Sequence, residues 1–439
     1  MRIYIETMGC PKNIVDSETA AGLLESKGHE IVAAPEDAEA ILVNTCGFIN
    51  DAKTESINRI FDLSAYKEEN GAILMVSGCL SQRYGTQFAE AMPEADIIIG
   101  VNDYDRLPEI LEQYQKDTQV CTGRKEDEDY VEIGPRKRMG TSYSAYLKIA
   151  EGCDNVCTYC IIPYIRGHYR SRGEEEILKE AKQLAAEGVK ELILVAQDVT
   201  AYGMDFDGEY HLAGLLKKLC RIDGIRWIRL LYCYEDRITD ELIETIASEE
   251  KICKYIDIPI QHASDKVLKE MNRRSTQAST EATLKKLRDA VPGICIRTTL
   301  IAGFPGEKKA DYFILRNFVR DMKFDRLGVF AYSKEEGTVA GRRKDQVRRD
   351  VKEARRDRIM ALQREISLAH NEELVGRTIE VLVEEEDTPG VYLGRSQWDA
   401  PEIDNSVIFT ADRELQPGEF VQVVITDAYD YDLSGKLAE

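Results

Sequence analysis

EEEILKEAKQLAAEGVKELILVAQ, residues 174–197, runs a helical segment (Glu174–Glu187) into an apolar strand, ELILVAQ (191–197). A strand fed by a helix of this length is the repeating half of a parallel α/β sheet. The same unit recurs on both sides. AYLKIAEG precedes it, and WIRLLYCY (227–234), YIDIPIQ (255–261), ICIRTTLIAG (294–303) and RLGVFAYS (326–333) follow. Helical segments such as Asp240–Ser248 and Thr280–Ala290 lie between them. Six such units predict a partial (β/α)6 barrel over residues 142–341, two units short of the usual closed form, with functional groups at the carboxyl ends of its strands.

The first third has its own strand–helix alternation. RIYIET (2–7), AILVNT (40–45), AILMVSG (72–78) and ADIIIG (95–100) are strand-like, with helices from Asp16 to Lys27 and over AKTESINRIFDLSAYKEEN. This predicts a separate parallel α/β domain over residues 1–122. Residues 123–141 are charged and poor in apolar side chains and read as a linker. A single long helix is expected over 342–373, where residues 342–364 hold ten Lys/Arg against four Asp/Glu. It reads as a solvated bridging helix or as a nucleic-acid contact. Residues 374–439 alternate short strands and turns (TIEVLVEE, GVYLGRS, SVIFT, EFVQVVITDAY) and predict a small all-β, OB-like barrel.

Length and composition bound the function. A chain of 439 residues exceeds one ordinary core, and two to four domains are expected. With 43% hydrophobic and 31% charged residues it reads as a globular protein. No apolar run is long enough for a membrane span and no signal pattern opens the chain, so a cytoplasmic location is expected, with no membrane partner. Eleven cysteines in that compartment point to metal or redox ligands before disulfides. The net charge of −21 repels a polyanion over most of the surface and is compatible with a basic protein target.

EGCDNVCTYCIIPYIRG (151–167) places Cys153, Cys157 and Cys160 where the first barrel strand ends. Soft thiolates suit iron–sulfur clusters or zinc. A structural zinc site needs a fourth ligand, for which His168 is nearest. Three thiolates on a four-iron cluster leave one iron open and reactive. A second group lies in the N-terminal domain, where Cys10, Cys46 and Cys79 each follow an apolar strand run. Singly, each reads as a small buried residue. Together they lie at one edge of a parallel sheet, beside Gly9, Gly47 and Gly78, and predict a second three-cysteine cluster. Cys121, Cys220, Cys233, Cys253 and Cys295 show no such pattern.

The C-x3-C-x2-C spacing with Tyr159 before its last cysteine resembles the radical S-adenosylmethionine enzymes. The resemblance implies that S-adenosylmethionine chelates the fourth iron and is cleaved reductively to a 5′-deoxyadenosyl radical. TLIAGFPGE (299–307) is similar to that family's glycine-containing adenine-side strand, which brings in Gly303. Tyr159, Gln197, Arg229 and Arg297 are then candidate contacts to the cofactor, the last three reading equally as structural polar residues.

Across nearly its whole length the chain resembles the methylthiotransferases: a three-cysteine domain, a radical barrel and a TRAM-type barrel. The resemblance implies two 4Fe–4S clusters, the second carrying a methylated sulfur, and S-adenosylmethionine as both methyl and radical source. GCPKNIVDSE (9–18) and GRSQWDAPEID (394–404) resemble the branch that modifies an aspartate of the twelfth protein of the small ribosomal subunit. DIPIQHASDKVLKEMNR (257–273) and VFAYSKEEGT (329–338) are shared more widely. Lys308, Lys309 and Asn405 depart from the family pattern. The implied partners are a basic small-subunit ribosomal protein or ribosomal particle and an electron donor such as flavodoxin or ferredoxin.

Charge favours the same branch. Residues 374–439 hold fifteen Asp/Glu against four Lys/Arg, whereas a module gripping RNA phosphates is expected to be basic. A solubilising surface explains the acidity equally simply. Three rival functions stand: a methylthiotransferase acting on an adenosine of tRNA, supported by the basic helix, a non-catalytic iron–sulfur electron carrier, and a zinc-bearing scaffold.

Overall fold

Continuous apolar runs become central strands when helices cover both faces of a sheet. In the computed structural model, which describes residues 1–115, 117–123, 130, 132 and 134–438, this governs the N-terminal third. Its strands are β1 (Arg2–Thr7), β2 (Glu30–Val32), β3 (Ala40–Thr45), β4 (Ile73–Gly78), β5 (Ile97–Ile99) and β6 (Gln119–Cys121). They pair in parallel in the order β2-β1-β3-β4-β5-β6. All six residues of β3 are buried. Leu42 joins Ile3, Leu24, Met75 and Leu107 on one face, while Ile41 and Val43 join Ile60, Leu74 and Phe88 on the other. The edge strands β2 and β6 span three residues each, too short to show as a sequence pattern.

The expected strand AYLKIAEG breaks in two. β7 (Ser144–Lys148) joins the main sheet, then the chain turns at Ile149 into β8 (Ala150–Glu151), which pairs antiparallel with β9 (Arg170–Ser171). Ile149 donates to Val195 and accepts from Arg172, which fixes the turn. The other strands are β10 (Glu191–Val195), β11 (Trp227–Leu230), β12 (Ile252–Asp257), β13 (Cys295–Ala302) and β14 (Arg326–Ala331). They form an open parallel sheet in the order β7-β10-β11-β12-β13-β14, the partial six-unit barrel expected. Leu192, Leu194, Ile228 and Ile296 face the outer helices. Ile193, Val195, Trp227, Tyr255 and Cys295 face inward, where Val15 of the N-terminal domain and Leu382 and Ala400 of the C-terminal domain complete their cluster.

Of the expected linker, residues 124–129, 131 and 133 lie outside the described residues. Residues 134–139 pack along the helix Pro11–Ser26: Arg136 pairs with Glu18 and Glu180, and Met139 donates to Glu18. The long helix begins at Arg349, later than its charge pattern suggested, and ends at Glu372. Residues 343–348 are held in a loop instead. Arg343 pairs with Glu270 (2.8 Å), and the Asp345 carbonyl accepts from Gly306.

The last domain is a closed barrel of β15 (Thr378–Thr388), β16 (Val391–Ser396), β17 (Val407–Thr410), β18 (Phe420–Ala428) and β19 (Leu433–Leu437). Its segment 394–404, the end of β16 and the loop that follows (loop 394–404), enters the inner side of the open barrel. Trp398 donates to Gly293, Asp399 pairs with Arg326 (2.7 Å), and Asp404 accepts from Tyr255 (2.7 Å). Among the described residues no helix is long and apolar enough to cross a membrane.

Candidate active site

Parallel strands deliver their carboxyl ends to one edge of the sheet. Cys10 follows β1 and caps the helix Pro11–Ser26, Cys46 follows β3, and Cys79 opens the helix Cys79–Ala91 directly after β4. Because β1, β3 and β4 are adjacent, the three thiols share that edge. The neighbouring glycines let the strand ends approach one another. A Cβ on Gly9 (φ +95°) would lie 2.8 Å from Cys46 Cβ, and one on Gly47 would lie 2.7 Å from the Cys79 carbonyl. Burial pushes the Cys46 thiol up to about 12 and raises that of Cys79.

The other thiols sit on the loop clamped by β8 and β9. Gly152 (φ +82°) brings its backbone against the His168 carbonyl, and Cys153 donates to Gly167 (3.1 Å). Thr158 anchors the loop to Glu270 and Met271. Arg273, paired with Glu235 (2.6 Å), stacks on Tyr234, whose hydroxyl lies 3.9 Å from Cys157. Glu270, Met271 and Arg273 belong to DKVLKEMNR (265–273), which thus braces the thiol loop. Burial lifts the Cys153 thiol to about 11 and raises Cys160 further.

Among the described residues no three His, Cys, Asp or Glu side chains could hold a metal ion as they stand. His168 is exposed and bonded to Asp154 (2.9 Å), so it does not complete a Cys3His set. The donor set fits a sulfur-rich cluster better. N–H groups already point at the sulfurs: Asn155 at Cys153 (3.5 Å), Ile162 at Cys160 (3.4 Å) and Arg166 at Cys79 (3.5 Å). Hydrogen bonds of this kind tune iron–sulfur clusters.

The two groups face each other across a buried polar seam. Cys79 packs against Ile161 and Ile165, next to Cys160. Arg166 pairs with Asp16 (2.9 Å) and Glu151 (3.0 Å) and donates to Asn13 (2.8 Å), and Lys148 bridges the same two carboxylates. Burial opposes the charge on Glu151, yet Arg166 and Lys148 hold its carboxyl well below the usual range. Asn13 and Asp16 lie within GCPKNIVDSE, but nothing in a linear motif says that they meet Arg166.

The expected cofactor contacts divide. Gln197 follows β10 and donates to Glu151 (2.5 Å), leaving its buried oxygen without a partner among the described residues. Tyr159 packs beside Phe304, Met271 and Tyr332 behind the thiol loop. Gly303 (φ +77°) ends β13, and its N–H donates to Glu307 (2.6 Å). Arg229 and Arg297 are both engaged within the protein, as the structural reading of them expects. Arg229 is fully buried, bonded to Glu191 (2.8 Å) and the Gln397 carbonyl, and Arg297 pairs with Asp257 (2.8 Å) and Asp404 (3.1 Å). The entering loop 394–404 commits both guanidiniums to the seam between the two barrels.

Residues 2–100 match the family described as uncharacterized protein family UPF0004, residues 147–319 the radical SAM superfamily, and residues 375–437 the TRAM domain. The chain is 49% identical over 99% of its length to the ribosomal protein uS12 methylthiotransferase RimO of Acetivibrio thermocellus, covering 98% of that protein. It is 47% identical to the RimO protein of Desulfitobacterium hafniense, over 100% of this chain and 99% of that one. The chain belongs to the RimO family. Its fold resembles radical S-adenosylmethionine methyltransferase TsrM from Kitasatospora setae, at TM-score 0.59 and 14% identity, over 77% of this chain and 75% of that one. RimO family membership spans both cysteine groups and the loop 394–404 that links the two barrels.

Proposed function

We propose that the chain is a methylthiotransferase that uses radical S-adenosylmethionine chemistry to place a methylthio group on the β-carbon of an aspartate in a small-subunit ribosomal protein. The observation that carries this reading is the pairing of two three-cysteine groups across one buried seam in a chain of the RimO family. Cys153, Cys157 and Cys160 would hold the radical cluster, and Cys10, Cys46 and Cys79 the auxiliary one. When bound, the first cluster and S-adenosylmethionine supply a hydrogen-abstracting radical, and the second supplies the sulfur. The chain's own residues do the rest: Gln197 and Gly303 lie just past strand ends, Tyr159 supports the thiol loop from behind, and Ile161 and Ile165 cover Cys79 with apolar surface.

An acidic surface supports a basic protein target. In the C-terminal barrel Glu385, Glu386, Asp387, Glu402, Asp412, Glu414, Asp427 and Asp430 are exposed, against Arg377, Arg413 and Lys436. Asp399 and Asp404, also counted in the acidity of this segment, are spent on Arg326 and Arg297. The reading includes a cytoplasmic location and an external electron donor of the flavodoxin or ferredoxin type. The second reading, an adenosine of tRNA, draws on the groove between the helices Lys309–Met322 and Arg349–Glu372, lined by Lys309, Phe313, Arg316, Arg355 and Arg358.

An anaerobic competition assay separates the two. Reconstituted enzyme, reductant and methyl-labelled S-adenosylmethionine are offered unmodified small ribosomal subunits and unmodified tRNA together. Label on an aspartate of a small-subunit protein is the expected result. Label on tRNA would overturn the substrate assignment, and unchanged S-adenosylmethionine would overturn the radical chemistry.

A further inference from the structure

Nine lysines and arginines are buried among the described residues, and eight face a carboxylate: Arg83, Lys148, Arg166, Arg172, Arg229, Arg273, Arg326 and Arg395. Lys12 is the exception. It is 8% exposed, no hydrogen bond or ion pair joins it to another described residue, and its ammonium lies over the ring of Tyr232, 3.4 Å from the centroid. Burying a charge without a counter-ion is costly, and aromatic contact recovers only part of that cost. A fold that neutralises every other buried cation yet leaves this one open has reserved it for an anion that is not part of the chain.

Its position says where that anion lies. Lys12 follows Cys10 by two residues, in the first turn of the helix Pro11–Ser26, whose amino end adds its own positive potential. The Lys12 ammonium reaches from the Cys10 turn to Tyr232, which follows strand β11 (Trp227–Leu230), so it lies where the first domain meets the carboxyl end of the barrel strands. Glu151 acts on it from farther off, but that carboxylate is occupied by Lys148, Arg166 and Gln197. Tyr232 is held in place at a cost. It is a non-glycine residue at φ +60°, fixed by its N–H to Asp257 (3.0 Å) and by its carbonyl to Val199 (3.0 Å). Strained backbone of this kind persists where the surroundings over-determine it, which they do at functional sites.

We infer that Lys12, seated on Tyr232, binds the side-chain carboxylate of the substrate and so selects an acidic residue over a neutral one. The inference rests on the aspartate reading above and adds to it the group that recognises the aspartate. An ammonium two residues from Cys10 would hold the carboxylate on the side of the site where the auxiliary thiols lie. A single charge-assisted contact of this type is worth about a 10- to 100-fold difference in affinity.

The test uses the full-length reconstituted enzyme and the ribosomal protein that carries the acceptor aspartate, together with its Asp→Asn form. Dissociation constants for both are measured with wild type, Lys12→Gln and Lys12→Arg, alongside iron and acid-labile sulfide per chain. Wild type is expected to prefer the aspartate form by about 10- to 100-fold, Lys12→Gln to bind both forms alike with unchanged iron, and Lys12→Arg to keep part of the preference. A Lys12→Gln enzyme that retains the full preference would overturn the assignment. Loss of about half the iron in that variant would also overturn it, since the ammonium would then be balancing thiolate charge. In both cases methylthiolation of the ribosomal protein by wild type leaves the parent reading standing. Wild-type labelling of tRNA instead would overturn the two together.

Discussion

Arg166 shows how much one side chain carries. It is buried between the two thiol groups and pairs with Asp16 from one domain and Glu151 from another. Arg166→Met would leave Asp16 and Glu151 to share Lys148 alone, and a destabilisation of about 1–3 kcal/mol is expected in denaturant titration. Glu191 plays the corresponding part at the other seam. Burial works against its charge, but Arg395 and Arg229 bring its carboxyl down to about 2. A carboxylate lowered on folding stabilises fully above its unfolded value and loses that contribution as pH falls from about 4.5 towards 2, about 3 kcal/mol in all. Melting temperatures across that window should therefore fall more steeply for wild type than for Glu191→Gln. At the cysteines the expected split is chemical. Cys157→Ala should abolish S-adenosylmethionine cleavage, whereas Cys46→Ala should keep it, stop methylthio transfer and lose about half the iron, read by product analysis and iron content.

Elements meet where a side chain is missing. Gly303 closes β13 at φ +77°, and a Cβ there would run into Lys352 on the helix Arg349–Glu372. Gly303→Ala should loosen that helix and cost about 1–3 kcal/mol, seen as faster amide exchange along it. The cysteine-flanking glycines work in the same way. In the sequence they read as room for a cluster; in the structure Gly9 and Gly47 let β1, β3 and β4 end against one another. The family departures also find local uses. Lys308 precedes the helix Lys309–Met322 and donates its N–H to Asp311, and the Lys309 ammonium lies over Phe313. Nothing in the structure explains Asn405, whose buried Nδ2 has no partner among the described residues.

At the scale of the molecule, three domains are locked by charge as much as by apolar packing. Glu335 reaches from the barrel to Lys53 and Arg83 of the first domain, and loop 394–404 closes the inner side of the open sheet. Asp399→Asn would leave Arg326 buried without its carboxylate. The C-terminal barrel should then detach more readily, visible as earlier proteolytic release of a fragment beginning near residue 374, with the rest of the chain protected.

The sequence by itself determined the periodic elements and the two cysteine groups. Strand runs such as AILVNT and ELILVAQ carry their burial in their composition, and a thiol directly after such a run must lie at the sheet's functional edge. What only the tertiary structure decided are pairings between residues far apart in the chain. Arg229 and Arg297 sit on barrel strands and read equally as cofactor contacts or as structural residues; loop 394–404 is what engages them. The partners of Lys148 and Arg166, and the ring under Lys12, are likewise distant in the chain. Whether a cation is paired, stranded or solvated depends on which carboxylates the fold brings within about 4 Å of it, and no local pattern encodes that distance.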